Sequence, residues 1–142
     1  MADEISISIT LNIRKGNLLV NAAKFFLDSM IGKSGPSPGS IIVTQYGVDV
    51  AFPGLISPGW ILLENLENSG WVEVGIKEPD TNYFYPMIEL LPGKPCIFRL
   101  SRNLFREYQS TGTGTSVGSA NTLHMKARDI ATASVVVSAY DR

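Results

Sequence analysis

Apolar and polar residues alternate with a period of two near the start of the chain. Apolar residues occupy every second position, namely Ile5, Ile7, Ile9, Leu11 and Ile13. Successive side chains of a β-strand point to opposite faces, so this pattern predicts a long strand with one apolar face. Arg14 to Asn17 then predicts a turn.

The segment after this turn is compatible with two elements. Leu18 to Val20 begins a second strand, whereas residues 21–30, NAAKFFLDSM, also have the composition of a short helix. Because the first strand calls for a paired return arm, we predict a strand through this segment.

A second pair of apolar segments lies at the centre of the chain. Trp60 to Leu66 is rich in Ile, Leu and Trp, and Trp71 to Ile76 alternates apolar with polar or small residues. Glu67 to Gly70 suits a tight turn, because Asn and Gly tolerate left-handed backbone. We predict a β-hairpin that organises the core. A loop of two or four residues would set Glu64 opposite Glu73, and a three-residue loop with a bulge would not.

Further short strands alternate with turns in the rest of the chain. The predicted strands are 41–46, 48–52, 83–91, 96–100, 122–128 and 133–140. Residues 83–91 and 96–100 flank a Pro-Gly-Lys-Pro turn and predict a second hairpin, in which Pro86 indicates a sheet edge or a strand start.

Glycine, proline and serine mark two loops. We predict flexible loops near 33–40, where SGPSPGS disfavours helix and strand, and at 110–121, a Gly/Ser/Thr tract. About eight to ten short strands joined by such turns predict an all-β fold. We expect residues 1–142 to form a single-domain antiparallel β-sandwich that is jelly-roll-like.

Length and charge narrow the possible partners. The chain has 142 residues and a formal net charge of -1, which suits one domain and lacks the charge typical of nucleic-acid or anionic-membrane binders. No apolar run approaches the roughly 20 residues that cross a bilayer. The first residues, MADEISIS, lack the features of a signal peptide, which predicts synthesis in a reducing cytoplasm.

Residues capable of chemistry are scattered along the sequence. His124 has no neighbouring ligand cluster, so we interpret it as a structural or surface residue. Cys96 has no evident base, and Gly112 to Gly118 lacks the Lys-Ser or Lys-Thr of a phosphate-binding loop. Glu64 and Glu73 are more typical of a solvated face than of a glycosidase pair. We predict no catalytic, metal or cofactor site, and no enzymatic activity.

Four aromatic residues leave an alternative open. They are Trp60, Trp71, Tyr83 and Tyr85. We interpret them as core or interface residues, but aromatic rings also stack on sugars. A carbohydrate- or receptor-binding β-sandwich is therefore a second hypothesis.

Two central segments, PGWILLENLENSGWVEVGI and FYPMIELLPGKPCIFRL, resemble small structural proteins of tailed bacteriophages. The recurring features are a Pro-Gly-aromatic entry at 58–60, Asn-Leu-acidic-Asn at 65–68, an aromatic-Val-Glu-Val-Gly strand at 71–75 and a Leu-x-Pro-Gly turn at 90–93. The opening ISISITLNIRKGNL is also similar to the start of such proteins. Residues 22–39 and 101–121 do not match the pattern.

This resemblance implies a non-enzymatic virion protein, specifically a capsid decoration (cement) protein, with a tail or head-tail component as the alternative. The implied partners are further copies in a homotrimer and the major capsid protein, on the outer capsid surface, with no nucleic acid, membrane or cofactor. Binding only the assembled shell would stabilise it by mass action. The candidate subunit or capsid contacts, which we predict to be poorly buried by their own chain, are Ile5, Ile7, Ile9, Leu11, Ile13, Thr113, Thr115 and Val117.

Overall fold

The computed structural model describes residues 5–30, 34–101, 104 and 122–141. These residues form ten strands and no helix. The strands are β1 Ile5–Lys15, β2 Leu18–Asp28, β3 Ser37–Thr44, β4 Val48–Val50, β5 Pro58–Asn65, β6 Trp71–Lys77, β7 Phe84–Leu90, β8 Pro95–Arg99, β9 Thr122–Arg128 and β10 Thr132–Asp141. The predicted first hairpin is confirmed, and the ambiguous segment after its turn is a strand.

Strands β3 to β10 form two four-stranded antiparallel sheets, with the orders β3-β10-β5-β8 and β4-β9-β6-β7. Four antiparallel pairs are nested in the sequence, namely β3·β10, β4·β9, β5·β8 and β6·β7. Together they form one long two-stranded ribbon, whose closed end is the connection between β6 and β7. Rolling this ribbon brings β10 beside β5 and β9 beside β6. The result is a jelly roll. The predicted all-β, single-domain, jelly-roll-like sandwich is confirmed.

The hydrophobic core lies between the two sheets. Strand β10 and most of β5 and β6 bury every second side chain there, as the period of two requires. In β10 the buried residues are Ala133, Val135, Val137 and Ala139. They pack in one cluster with Ile61 and Leu63 of β5 and with Val72 and Val74 of β6. Burial of each such Val, Leu or Ile stabilises the fold by about 1.5–3 kcal/mol.

The predicted central hairpin is wrong, because β5 and β6 lie in different sheets. Glu64 lies opposite Pro95 of β8, and Glu73 lies opposite Glu89 of β7. Residues 67–70 carry the chain from one sheet to the other. Alternation determines which side chains point inward, but it is the same for any partner strand.

The predicted second hairpin is wrong for the same reason, since β7 and β8 belong to opposite sheets. The edge position indicated by Pro86 is confirmed, because β7 is the last strand of its sheet. Pro86 lies opposite Gly75, where the register shifts. A Cβ on Gly75 would overlap the carbonyl oxygen of Tyr85, so this irregular pairing requires glycine.

The predicted loop near 33–40 is shorter than expected. Strand β3 begins at Ser37, and its residues up to Ser40 pair with β10, with Pro38 opposite Ser138. Because β3 is an edge strand with β10 on one side only, a residue without an N–H is tolerated there. The other predicted loop, at 110–121, lies outside the described residues.

Candidate interaction surface

Strands β1 and β2 form a two-stranded sheet of their own. Residues directly opposite each other share a face of such a sheet. The register therefore places the predicted contact residues of β1 on one face with every second residue of β2, whereas Leu19, Phe25 and Leu27 lie on the opposite face. This hairpin apolar face consists of Ile5, Ile7, Ile9, Leu11, Ile13, Leu18, Val20, Ala22 and Phe26.

The hairpin apolar face is covered at its base and open beyond it. Ile7 is only 6% exposed, whereas Ile9 is 47%, Leu11 51% and Ile13 38% exposed. The two strands pack mainly on each other. Because an isolated two-stranded hairpin is at best marginally stable in water, its exposed apolar half is a candidate interaction surface.

A network of polar and aromatic contacts fixes the base of the hairpin to the sandwich. The rings of Phe26 and Trp60 lie 5.4 Å apart, and the indole N–H of Trp60 donates to Asp28 at 2.8 Å. Asp28 also forms an ion pair with Arg99 at 3.4 Å, and the Arg99 guanidinium lies 5.8 Å from the Trp60 ring. The hairpin therefore leaves the sandwich from a defined position on β5 and β8.

The outer face of the β3-β10-β5-β8 sheet is also apolar in part. Ile42 is 58% exposed, Leu62 42% and Ile97 41%. With the half-buried Val136 and the exposed Glu64 they form a surface that we call the outer strip. A cleft of about 360 Å³ separates this sheet from the hairpin base, and its lining includes Ile5 and Ile7 as well as Leu62 and Ile97.

The outer face of the β4-β9-β6-β7 sheet has a different character. It carries the charged and polar residues Asp49, Glu73, Lys77, Glu89, His124, Lys126 and Arg128. Several of these are paired, since Arg128 donates to Glu73 at 2.6 Å and Lys77 lies 3.2 Å from Asp49. Exposed apolar side chains on this sheet, such as Tyr85 and Met87, lie on its edge strand β7.

His124 is a buried residue of this charged sheet. Its Nδ1 lies 2.6 Å from Asp49, and its ring packs edge-on against Phe84 at 4.9 Å. Burial by itself raises the pKa of Asp49. Hydrogen bonds from His124 and Lys77 and the positive charge of Lys77 lower this pKa by more, so the pKa of Asp49 lies below its ordinary value. A Cβ on Gly47 would overlap the His124 ring, which shows how closely the histidine is packed.

The remaining candidate residues do not form an assembled reactive site. Glu64 and Glu73 lie in different sheets, so they are not a pair. Burial raises the pKa of the Cys96 thiol, which disfavours the thiolate. In the part of the chain that the structure describes, no three His, Cys, Asp or Glu residues are placed to share a metal ion, and no helix is long and apolar enough to cross a membrane. Thr113, Thr115 and Val117 lie outside the described residues.

The four aromatic residues are not brought together into one platform. Trp60 and Trp71 lie in different sheets, and the Trp60 ring is engaged by the hairpin base. Tyr83 and Tyr85 do lie side by side, 6.4 Å apart, and both are exposed.

Sequence reasoning missed a polar junction at the end of β5. Asn65 is completely buried, its Nδ2 donates to the carbonyl of Leu90 at 3.2 Å, and its Oδ1 accepts from the N–H of Glu67 at 3.0 Å. The Glu67 carboxylate accepts from the N–H of Ser134 at 2.8 Å. The Asn-Leu-acidic-Asn segment is therefore structural. The sequence did contain a signal for this junction, because Asn65 occupies the same alternating, inward-facing positions as Ile61 and Leu63.

Comparison with known proteins identifies no relative of this chain: no family model matches it, and neither does any curated protein or solved structure. Functional inference therefore starts from the geometry of the hairpin and the two sheet faces.

Proposed function

We propose that this chain is a non-enzymatic structural protein of a tailed-bacteriophage virion, a capsid decoration (cement) protein that binds the assembled head and stabilises it. The observation that carries the proposal is the β1–β2 hairpin, which is fixed at its base and exposes an apolar face beyond it. The sequence resemblance to phage structural proteins supplies the kind of assembly.

The exposed apolar surface of the hairpin is large enough to contribute strongly to association. Its exposed large apolar residues are Ile9, Leu11, Ile13 and Leu18 on the hairpin apolar face, and Leu19, Phe25 and Leu27 on the opposite face. At about 100 Å² each, the residues on the apolar face expose roughly 400 Å². Burying that area would contribute about 10 kcal/mol before costs, against an association cost of about 4–15 kcal/mol.

The rest of the molecule suits a bridging subunit. The jelly roll has its own core, so it can hold the hairpin in one position without a partner. A protein that binds the assembled shell and not its free subunits stabilises the shell by mass action, by about 1.4 kcal/mol for each tenfold excess over the dissociation constant.

Two alternatives use other parts of the same surface. A tail or head-tail component would bury the hairpin in a different assembly. A carbohydrate- or receptor-binding module is favoured only by the exposed pair Tyr83 and Tyr85.

The number of copies per virion tests the proposal. Quantitative mass spectrometry of purified virions should give a copy number of the same order as that of the major capsid protein, and antibodies should label the head surface. A few copies per particle would indicate a tail or receptor-binding component instead. Absence from purified virions would contradict any virion role.

A matched pair of variants tests the role of the hairpin. Leu11 and Leu91 are about equally exposed, at 51% and 49%, but only Leu11 lies on the hairpin. Virions produced with Leu11→Asn should lose most of their bound copies, whereas those with Leu91→Asn should keep them. Equal occupancy of both variants would show that the hairpin makes no essential contact.

A further inference from the structure

We infer that the exposed half of the hairpin apolar face binds the outer strip of a second copy of this chain, so that copies are joined by exchanged hairpins. The inference names the partner surface for the assembly role proposed above and rests on that role for its setting. In this contact each copy gives one hairpin and receives another.

The outer strip already faces this kind of surface within one chain. Leu62 and Ile97 line the same cleft as Ile5 and Ile7 of the hairpin base. Beyond that cleft the strip continues through Val136 to Ile42, which is 58% exposed. A second hairpin would cover side chains of the strip that the first one leaves in water.

Charge complementarity favours the outer strip over another hairpin as the partner. Lys24 lies on the hairpin apolar face, opposite Ile9, and Glu64 lies on the outer strip, between Val136 and Pro95. Within the described residues neither Lys24 nor Glu64 has an ion-pair partner. Hairpins packed side by side around an axis parallel to their strands would instead bring the Lys24 residues together, which is unfavourable.

The size and symmetry of the contact are consistent with a closed oligomer. The four exposed large residues of the hairpin apolar face give roughly 400 Å², which is close to the apolar share, about 57%, of the roughly 800 Å² that each partner buries in a standard interface. A hairpin-to-sheet contact joins two different surfaces, and such contacts form a ring when the rotation between copies closes. The homotrimer implied by the sequence resemblance is one such ring.

Reversing the two charges separately and together tests the contact. Self-association of the wild type, Lys24→Glu, Glu64→Lys and the double variant would be measured by sedimentation velocity over a range of concentrations. Each single reversal should raise the midpoint concentration of association at least about tenfold. The double variant should return to within about threefold of wild type, because the pair is restored with its signs exchanged.

The matched control is Glu89→Lys, which makes the same charge change as Glu64→Lys on the outer face of the other sheet. It should stay within about threefold of wild type. Circular dichroism should be unchanged in every variant, because Lys24, Glu64 and Glu89 are all exposed.

Several results would overturn the inference. The wild type could stay monomeric at all concentrations, or the double variant could associate no more strongly than the single variants. Either charge reversal could also leave the midpoint concentration of association unchanged. A monomer that binds phosphatidylcholine vesicles through the hairpin would also overturn it. If charge-dependent association occurs but virions lack the chain, the inference stands and the proposed function fails. If the chain is a monomer that is present on virions, the proposed function stands and the inference fails.

Discussion

Replacement of Asn65 by alanine should destabilise the protein far more than its polar character suggests. Asn65 is completely buried and joins two segments, donating to the Leu90 carbonyl and accepting from the Glu67 N–H. Alanine removes both hydrogen bonds. It leaves a carbonyl and an N–H without their partners at a junction where both sheets and the 66–70 crossing meet.

The expected loss follows from these two contacts. Leaving one buried polar group unsatisfied costs about 1–3 kcal/mol, so two groups give roughly 2–6 kcal/mol. That is a large part of the about 5–15 kcal/mol by which domains are usually stable. The Asn68→Ala variant is the matched control, because Asn68 is exposed in the same crossing and surface changes usually stay within about 0.5 kcal/mol.

Urea unfolding followed by tryptophan fluorescence measures this difference, since Trp60 and Trp71 lie in opposite sheets. All variants must be compared at one protein concentration, because self-association would add a concentration-dependent contribution. We expect Asn65→Ala to lower the free energy of unfolding by at least about 2 kcal/mol relative to Asn68→Ala. A difference below about 0.5 kcal/mol would refute the assignment of this junction as a structural element.

Three further predictions concern other contacts within the jelly roll. Gly75→Ala should lower the free energy of unfolding by more than about 3 kcal/mol, because its Cβ would overlap the Tyr85 carbonyl; Gly54→Ala, which meets no neighbour, is the control in thermal unfolding. The lowered pKa of Asp49 stabilises the fold above its ordinary value of 3.8 and ceases to do so as the pH falls through the folded-state pKa. Since the Asp49 side chain is 49% exposed, Asp49→Asn should lower the free energy of unfolding by at most about 1 kcal/mol at pH 7. The loss should be smaller at pH 3, and urea titrations at the two pH values measure both. Cys96 should react slowly with a thiol reagent at pH 8 and rapidly in urea; equal rates would contradict the burial that raises its pKa.

Alternation in the sequence was a reliable guide to which side chains point inward. In β10 the buried residues from Ala133 to Ala139 follow the period of two, as do Ile61 and Leu63 of β5. The β1–β2 hairpin was also predictable, because its two strands are joined by a short turn and pair along their whole length. Such features depend on neighbours in sequence.

Strand partners were much less predictable. Residues 67–70 have the composition of a tight turn, yet they connect two sheets, since β5 pairs with β8 and β10 while β6 pairs with β7 and β9. These pairings depend on the rolled ribbon as a whole, and the same alternation fits either partner. The outer strip could not be predicted for the same reason, because its residues come from four separate strands.

Buried apolar residues are divided unequally between the jelly roll and the β1–β2 hairpin, and this division bears on the proposed role of the hairpin. Ile7 is the one buried hydrophobic residue that the hairpin supplies among those described, and it lies outside the core cluster. The jelly roll therefore gains little stability from an element whose strands each have 11 residues. A long β-hairpin with one apolar face is costly in water and favours aggregation through its free edges. An element of this kind is useful when another surface covers it, and we propose that the covering surface is the outer strip of a second copy, which carries apolar residues and the opposite charge.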